Sequence, residues 1–348
     1  MPSIYDYVNA QEIAAYISEN PSNDIPYLGE ELFPNQKQLG LDLKWIKGSK
    51  GLPVTLKPSA FDANATVRER VGFKAIETEM PFFRESMKIG EKDRQELNKV
   101  IASGNEAYII PIITEIYDDV GKLVASADVS MELMRMQLLS EGKISISANR
   151  VNLDYDYKFN ANHKETLLNT AKWSDYVNST PVQDIQRWQT RVKQDTGVVP
   201  TRAICTTKTW TYLMLNQSIK LDMNPSGGQN LIMTDNVLRD YLLAKLNLNV
   251  VVYDKMYENE SGIATPFFAE DKFTLLPPGQ LGSSYYGTTP EESDLMSGGT
   301  DAQVELIKNV IALSTIKQPH PVNVTTLVSS IMLPSFENIE NIFIATVG

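Results

Sequence analysis

Apolar side chains recur along this chain with two clear periods, and each change of period marks a change of element. From Tyr108 to Lys143 the spacing is that of one helical face, with Ile113, Ile116, Tyr117, Val120, Leu123, Val124 and Ala127 at i, i+3, i+4 and i+7 intervals. Pro111 suits a first turn and Gly142 a C-terminal cap, so the pattern predicts a helix of about 30 residues, roughly 45 Å long at 1.5 Å per residue. Such a helix is long enough to form the spine of a thin, elongated domain. Its second half is methionine-rich, with Met131, Met134 and Met136 offering adaptable packing. The preceding "EKDRQELNKVIASGN" predicts a separate helix stopped by Gly104 and Asn105. A period of two replaces the helical one further upstream. In "LDLKWIK", Leu41, Leu43 and Trp45 oppose Asp42 and Lys44; in "VRERVGFKAIETEM", Val71, Phe73 and Ala75 oppose Arg70, Gly72 and Lys74. Between them lie the Gly48 to Gly51 break and a proline-bearing extended stretch. Together these predict a long hairpin, too polar to form a core alone, which must pack on its own domain or on a neighbouring copy.

The first 37 residues mix prolines with one short amphipathic segment, "QEIAAYI", which places Ile13, Ala14 and Ile17 on a single helical face. This predicts an arm that needs another surface to lie on. After the extended stretch "KISISANRVNLDYDYKF", helices and strands alternate. "TPVQDIQRWQTRVKQDTG" has Thr180 placed to cap, Pro181 at the first helical position, Gln183 at the capping-box position and Gly197 as a stop. "RAICTT" reads as a buried strand, "TKTWTYLMLNQ" and "TDNVLRDYLLAKL" as helices, the second capped by Thr234 or Asp235, and "LNVVVYDKMYE" as a strand. The alternation predicts an α/β domain of roughly 130 residues. Three long β-branched stretches return at the end, "VELIKNVIALSTIKQ", "NVTTLVSSIMLP" and "NIFIATV", and supply the natural sheet for the long helix to pack on.

Composition narrows the function. With 348 residues, a net charge of −11 and 42% apolar content, the chain is globular and ill suited to gripping phosphates over a broad surface. The single cysteine, Cys205, permits no intrachain disulfide and reads as a small core hydrophobe. The N-terminus has neither the basic nor the apolar region of a signal peptide, and no apolar run reaches membrane-spanning length. Of the two histidines, His163 reads as lying exposed near a helix start and His320 in a proline-flanked loop. Neither has a second ligand at metal spacing or a partner for a nucleophile, so no catalytic residue, metal site or cofactor is expected. "NPSGGQN" lacks the Lys-Ser/Thr of a phosphate loop and reads as a connection. The stretch "LLPPGQLGSSYYGTTPEESDLMSG" pairs two rigid aromatics, Tyr285 and Tyr286, with the acidic Glu291, Glu292 and Asp294. The residues alone leave three readings open: a catalytic loop, a linker, or a surface that another copy of the chain must meet, for which two rigid aromatics with polar tips are suited.

The order of these elements, together with "VTLKPSAFDANATVRERVGFKAIETEMPFFRESMKIGEKDRQEL" (Val54 to Leu97), "YDDVGKLVASADVSMELMRMQLLSEGK" (Tyr117 to Lys143) and the tyrosine-bearing loop, resembles the phage major capsid proteins of the lambda E type. The resemblance implies an α+β, HK97-like capsid fold. Its parts would be an N-terminal arm over 1–37, an extended hairpin or E-loop over 38–80, and a discontinuous peripheral P-domain over 81–155 and 305–348 that contains the spine helix. An axial A-domain would occupy 156–304. It further implies a structural, non-enzymatic role: self-assembly as pentamers and hexamers into an icosahedral procapsid that expands around double-stranded DNA. The implied partners are further copies of the chain, a separate scaffolding protein, a portal protein, a decoration protein and the enclosed DNA, with no membrane. The implied location is the virion, assembled in the host cytoplasm. The subunit-interface candidates are Trp45, Lys47, Lys50, Lys57, Arg68 and Arg70 on the hairpin and Tyr285 and Tyr286 in the loop. Some relatives crosslink through a hairpin lysine, and Lys47, Lys50 and Lys57 lie in that region, where the ordinary reading is a solvated or ion-paired side chain. Two rivals stand beside this expectation: a non-viral compartment shell of the same fold, and an α/β enzyme with a site in the 197–300 region.

Overall fold

The structure is a computed structural model and describes residues 8–19, 26–47, 74–102, 106–148, 151–259, 261–295, 302–320 and 322–348. The chain divides into two contact units. One, the sheet unit, comprises 1–43, 77–132 and 283–335; the other, the α/β unit, comprises 44–76, 133–282 and 336–348.

The sheet unit is organised by the strand Val322–Pro334, whose run of β-branched residues makes it the longest strand described. It pairs antiparallel with Ile311–Pro319 on one side and with Phe82–Ile89 on the other. From Val328 to Pro334 every residue is buried, as in a strand covered on both faces. Its last residues leave those neighbours and pair with Ser284–Tyr286, which in turn runs parallel to Asn35–Lys37. Gln303–Ile307 closes the opposite edge against Ile311–Pro319. The sequence pattern predicted a single strand over "VELIKNVIALSTIKQ"; the structure breaks it into a hairpin at Lys308 and Asn309. Both residues sit in the left-handed region, at φ 52° and 60°. Asparagine tolerates that conformation, and two such residues in succession reverse the chain.

The N-terminal segment finds its surface within this same unit. In the helix Ala10–Glu19, Ala10 and Ile13 are fully buried, and the Ala10 amide donates to Thr315 Oγ1 at 3.1 Å. Tyr16 donates to Asp118 Oδ1 at 2.6 Å. Leu32 and Phe33 are buried, and the Gly29 amide donates to the buried carboxylate of Glu132 at 3.1 Å.

The long helix runs from Glu106 to Glu141 and is 36 residues long, about 54 Å at the standard rise. It starts earlier than the periodicity predicted, so Pro111 sits in its second turn rather than its first. Of the expected stripe, Val120, Val124 and Ala127 are buried and Ile113, Ile116, Tyr117 and Leu123 half-buried; Met131 continues the buried face. Beyond residue 132 the helix belongs to the α/β unit and is buried on nearly all sides, through Met134, Arg135, Met136, Leu138 and Leu139. It ends at Gly142, whose φ of +70° and whose amide, donated to the Leu138 carbonyl at 2.9 Å, make the left-handed cap. A Cβ there would lie 2.8 Å from the Phe159 ring, so only glycine fits. The following Lys143–Ala148 and Val151–Asp156 form a two-stranded hairpin.

The α/β unit holds a five-stranded sheet in the order Lys164–Thr166, Phe343–Thr346, Lys272–Leu276, Arg202–Cys205, Asn249–Val252. The helices Pro181–Thr196, Thr207–Leu215, Gln217–Met223 and Asp235–Leu246 contribute to its core. That core centres on Trp173, Trp188, Phe273 and Phe343, with ring centroids 5.0 Å apart for Trp173–Phe273 and 5.4 Å for Trp188–Phe343. Here the structure departs from the grouping read from sequence. "NIFIATV" was expected beside the other returning strands, but Phe343–Thr346 enters this sheet, because Phe343, Ile344 and Ala345 are apolar on both faces and the aromatic cluster takes up Phe343. "LNVVVYDKMYE" likewise splits, its second half, Met256–Glu258, pairing with Ala264–Pro266. The expected capping box at Thr180 does not form, and Thr234 likewise precedes its helix without a side-chain cap bond. Thr206 and Asn216 cap the two intervening helices instead.

Candidate assembly surfaces and the foot of the hairpin

The loop that couples Tyr285 and Tyr286 to three acids is built into the sheet unit. Ser284–Tyr286 lies between Val322–Pro334 and the N-terminal strand Asn35–Lys37, with Asn35 opposite Ser284 and Lys37 opposite Tyr286. Ser284 Oγ donates to the Phe33 carbonyl at 2.9 Å, and the Gln38 amide donates to the Tyr286 carbonyl at 2.9 Å. Tyr286 is 2% exposed, so its ring belongs to the core and offers no contact area to another copy, contrary to the reading from sequence. Alternation along the strand leaves Tyr285 on the opposite face, half-buried.

Two of the three acids, Glu291 and Glu292, are likewise internal ties, while Asp294 is exposed. Glu291 is buried. Its Oε1 meets Arg84 Nη2 at 2.6 Å, and its Oε2 accepts from Ser329 Oγ at 2.9 Å. Arg84 also stacks over the Phe82 ring, 4.4 Å from the centroid. Glu292 Oε2 meets Lys37 Nζ at 2.5 Å, and Lys37 Nζ donates in addition to the Gly287 carbonyl at 3.0 Å. Two adjacent carboxylates therefore bind cations from two different strands, Asn35–Lys37 and Phe82–Ile89. Glu291, Glu292, Arg84, Lys37 and Gly287 were not picked out as a group by sequence reasoning. Their only sequence signal was an acidic doublet in a loop otherwise rich in Gly, Ser and Thr.

This arrangement surrounds the foot of the expected hairpin. Asp42–Lys47 pairs with Lys74–Glu79 as a separate two-stranded ladder. At its foot the Met80 amide donates to the Leu41 carbonyl at 2.9 Å, and Leu43 is fully buried while Leu39 and Leu41 are exposed. Trp45 and Lys47 lie on the first strand of the ladder, and their side chains fall outside the described set. Lys50, Lys57, Arg68 and Arg70 lie outside the described residues.

A second surface of the sheet unit is a cavity of about 370 Å³ beside the long helix. Ile89, Ile112, Ile116 and Val120 supply apolar walls, and Glu115 and Asp119 are the acids in its lining.

His163, Cys205 and Asp184 are all buried in the α/β unit. His163, expected to be exposed, is fully buried beside Phe343, and its Nε2 lies 2.9 Å from Asp195 Oδ2; the short helical turn Ala161–His163 points the ring inward. Cys205 is buried in its strand, and burial pushes its thiol well above the ordinary range. Asp184 is pushed upward by burial, an effect that the Trp173 indole and Arg187 partly offset. Among the described residues no group of three His, Cys, Asp or Glu side chains could hold a metal, and no helix is long and apolar enough to cross a membrane.

Comparison with known proteins follows the same line. The family model described as phage major capsid protein E matches residues 9–347. A crystal structure described as that of a prophage capsid protein from E. coli CFT073 superposes with a TM-score of 0.58 at 15% identity, covering 98% of this chain and 99% of the other. A phage-related protein from Bordetella bronchiseptica RB50 does so with a TM-score of 0.55 at 13% identity, covering 95% of each chain. No curated protein sequence matches.

Proposed function

We propose, from the premise that this chain belongs to the phage major capsid protein E family and is a subunit of the phage shell, that it assembles through its hairpin, as pentamers and hexamers, into an icosahedral head. The observation that carries this reading is the way the N-terminal segment is used. Residues 8–19 and 26–37 lie on their own sheet unit, through Ala10, Ile13, Phe33 and the strand Asn35–Lys37. The segment available to reach another copy is then the ladder Asp42–Lys47 and Lys74–Glu79 with the basic stretch that joins it. That stretch carries Lys50, Lys57, Arg68 and Arg70 in a chain whose net charge is −11. On this reading the sheet unit takes the peripheral role expected for 81–155 and 305–348 and the α/β unit the axial role expected for 156–304, with 133–155 and 336–348 passing to the α/β unit and 283–304 to the sheet unit. The reading also takes the chain to be non-enzymatic and to work with a separate scaffolding protein and a portal, enclosing double-stranded DNA without sequence-specific contacts.

Deleting Lys47 to Lys57 tests it. The wild-type chain is expected to form shells visible by negative-stain microscopy and to elute as capsomers or megadalton particles, while the deletion variant elutes as a folded monomer. Normal shells from the deletion variant would sink the hairpin assignment. A wild-type chain found only as a monomer to tetramer would sink the shell itself.

A further inference from the structure

Residues 284–292 bond to the N-terminal strand, to the foot of the hairpin and to the central sheet at once. We infer that this segment is a strap on the hairpin foot, and that the Lys37–Glu292 ion pair is its releasable clasp. The inference rests on the reading of the hairpin as the intersubunit element, and it assigns that element a control point.

Three sets of contacts support it. The backbone on the hairpin's entry side is held to the strap twice: the Gln38 amide donates to the Tyr286 carbonyl at 2.9 Å, and Thr288 Oγ1 donates to the Gln38 carbonyl at 3.4 Å. Gln38 passes the constraint on, its Nε2 donating to the Asp42 carbonyl at 3.0 Å at the start of the ladder. The strap is also anchored to the long strand, since the Gly287 amide donates to the Ile331 carbonyl at 2.8 Å. At Gly287 the two backbones approach so closely that a Cβ would lie 2.6 Å from the Gly40 carbonyl oxygen and 2.9 Å from Met80 Cε, on the hairpin's exit side. Entry, exit and strap therefore meet at one glycine.

The two ion pairs then divide the work. Glu291 is 5% accessible at its side chain and takes bonds from both Arg84 and Ser329, which makes it the fixed anchor to the sheet. Glu292 and Lys37 are 17% and 28% accessible, so water and salt reach them. Lys37 is one residue from Gln38 and donates to the Gly287 carbonyl as well, so losing Glu292 leaves the cation that links foot and strap with the Gly287 carbonyl as its remaining strap contact among those described. Ionic strength acts on such a pair because the Debye length falls from about 10 Å at 0.1 M salt to about 3 Å at 1 M.

Amide hydrogen exchange on the full-length subunit tests the clasp, read at Gln38, Met80 and Gly287. Lys37→Met and Glu292→Gln are each expected to speed exchange at these amides about fivefold to tenfold, as for loss of a charge-assisted bond. Because Lys37→Met removes the Gly287 contact along with the ion pair, the double variant should be no faster than Lys37→Met alone, the non-additivity of a shared interaction. Raising salt from 0.1 to 1 M should speed exchange in the wild type and leave the variants unchanged. Unchanged exchange in the single variants, additive effects in the double, or a wild type indifferent to salt would each overturn the clasp. The wild-type salt series decides the matter even if a variant fails to fold. Exchange is read on the subunit, so a failure to form shells sinks the assembly reading and not this one.

Discussion

At the scale of single residues, the long helix offers the clearest case of position deciding outcome. Val120 is 3% exposed, and the cavity lining to which it contributes holds two acids, Glu115 and Asp119, against one cation, Lys88, so an added carboxylate would be desolvated among more like charges than opposite ones. Val120→Asp is expected to cost several kcal/mol, on the order of 3, and to lower the thermal midpoint by roughly 5 °C or more. Circular-dichroism melting measures it, and an unchanged midpoint would mean that this face of the helix is solvated. Val120 was legible because its stripe is local: i, i+4 and i+7 neighbours on one helix carry the signal. Glu291, Glu292 and Tyr286 were not legible, because what fixes them is distant in the chain. Arg84, Ser329 and Lys37 come from three strands whose meeting is set by the sheet, and a doublet of glutamates in a polar loop reads as solvated until its partners are known. His163 failed for the same reason, its partner Asp195 lying at the far end of a helix.

At the scale of elements, the end of the long helix is a joint within the α/β unit. Thr274 Oγ1 donates to the Leu139 carbonyl at 2.8 Å, and Glu141 receives Lys272 at 2.8 Å and Lys164 at 3.3 Å, one lysine from each of two strands of the five-stranded sheet. Burial tends to raise the Glu141 carboxyl, but the two lysines more than offset it and hold it below the ordinary carboxylate value. A folded value below the unfolded one, about 4.3, means that the stabilisation is fully present above that pH and lost as pH falls through the folded value. Glu141→Gln should therefore be less stable than wild type at pH 7, and the gap should close as pH falls below about 4. Urea midpoints across that range check it; a gap independent of pH would remove the ion pairs from the explanation. Elements were legible where periodicity was strong, as in the long helix and in Pro181–Thr196 with its Pro and Gly ends. They were misread where one apolar run hid a reversal. Asn309 marked the break in "VELIKNVIALSTIKQ", but the β-branched residues on either side outweighed it. No local feature says which sheet a strand such as Phe343–Thr346, apolar at three successive positions, will join.

At the scale of the whole molecule, the resemblance carried by long quoted stretches gave the shell, and neither composition nor periodicity could have done so. What composition adds is a charge imbalance with a direction. The hairpin stretch bears Lys44, Lys47, Lys50, Lys57, Arg68, Arg70 and Lys74, while the chain as a whole is −11, so the remainder is more acidic still. Cations on a segment that reaches another copy would there meet a chain with an excess of acids, 43 against 32 basic residues. Each exposed pair contributes only about 0 to 1 kcal/mol. A closed shell repeats every contact in every subunit, however, so a term too small to hold two copies together can still set whether and how fast the lattice grows. Early association, before apolar contacts have formed, should then weaken as salt screens these pairs. Arg68→Glu with Arg70→Glu should slow assembly at low salt and flatten its dependence on salt, because the attraction that salt would have screened is already gone. Light-scattering kinetics on wild type and the double variant, each across a series from 0.05 to about 1 M salt, measure both effects. Parallel salt slopes for the two proteins would show that the hairpin docks by shape and apolar contact, with its basic residues as bystanders.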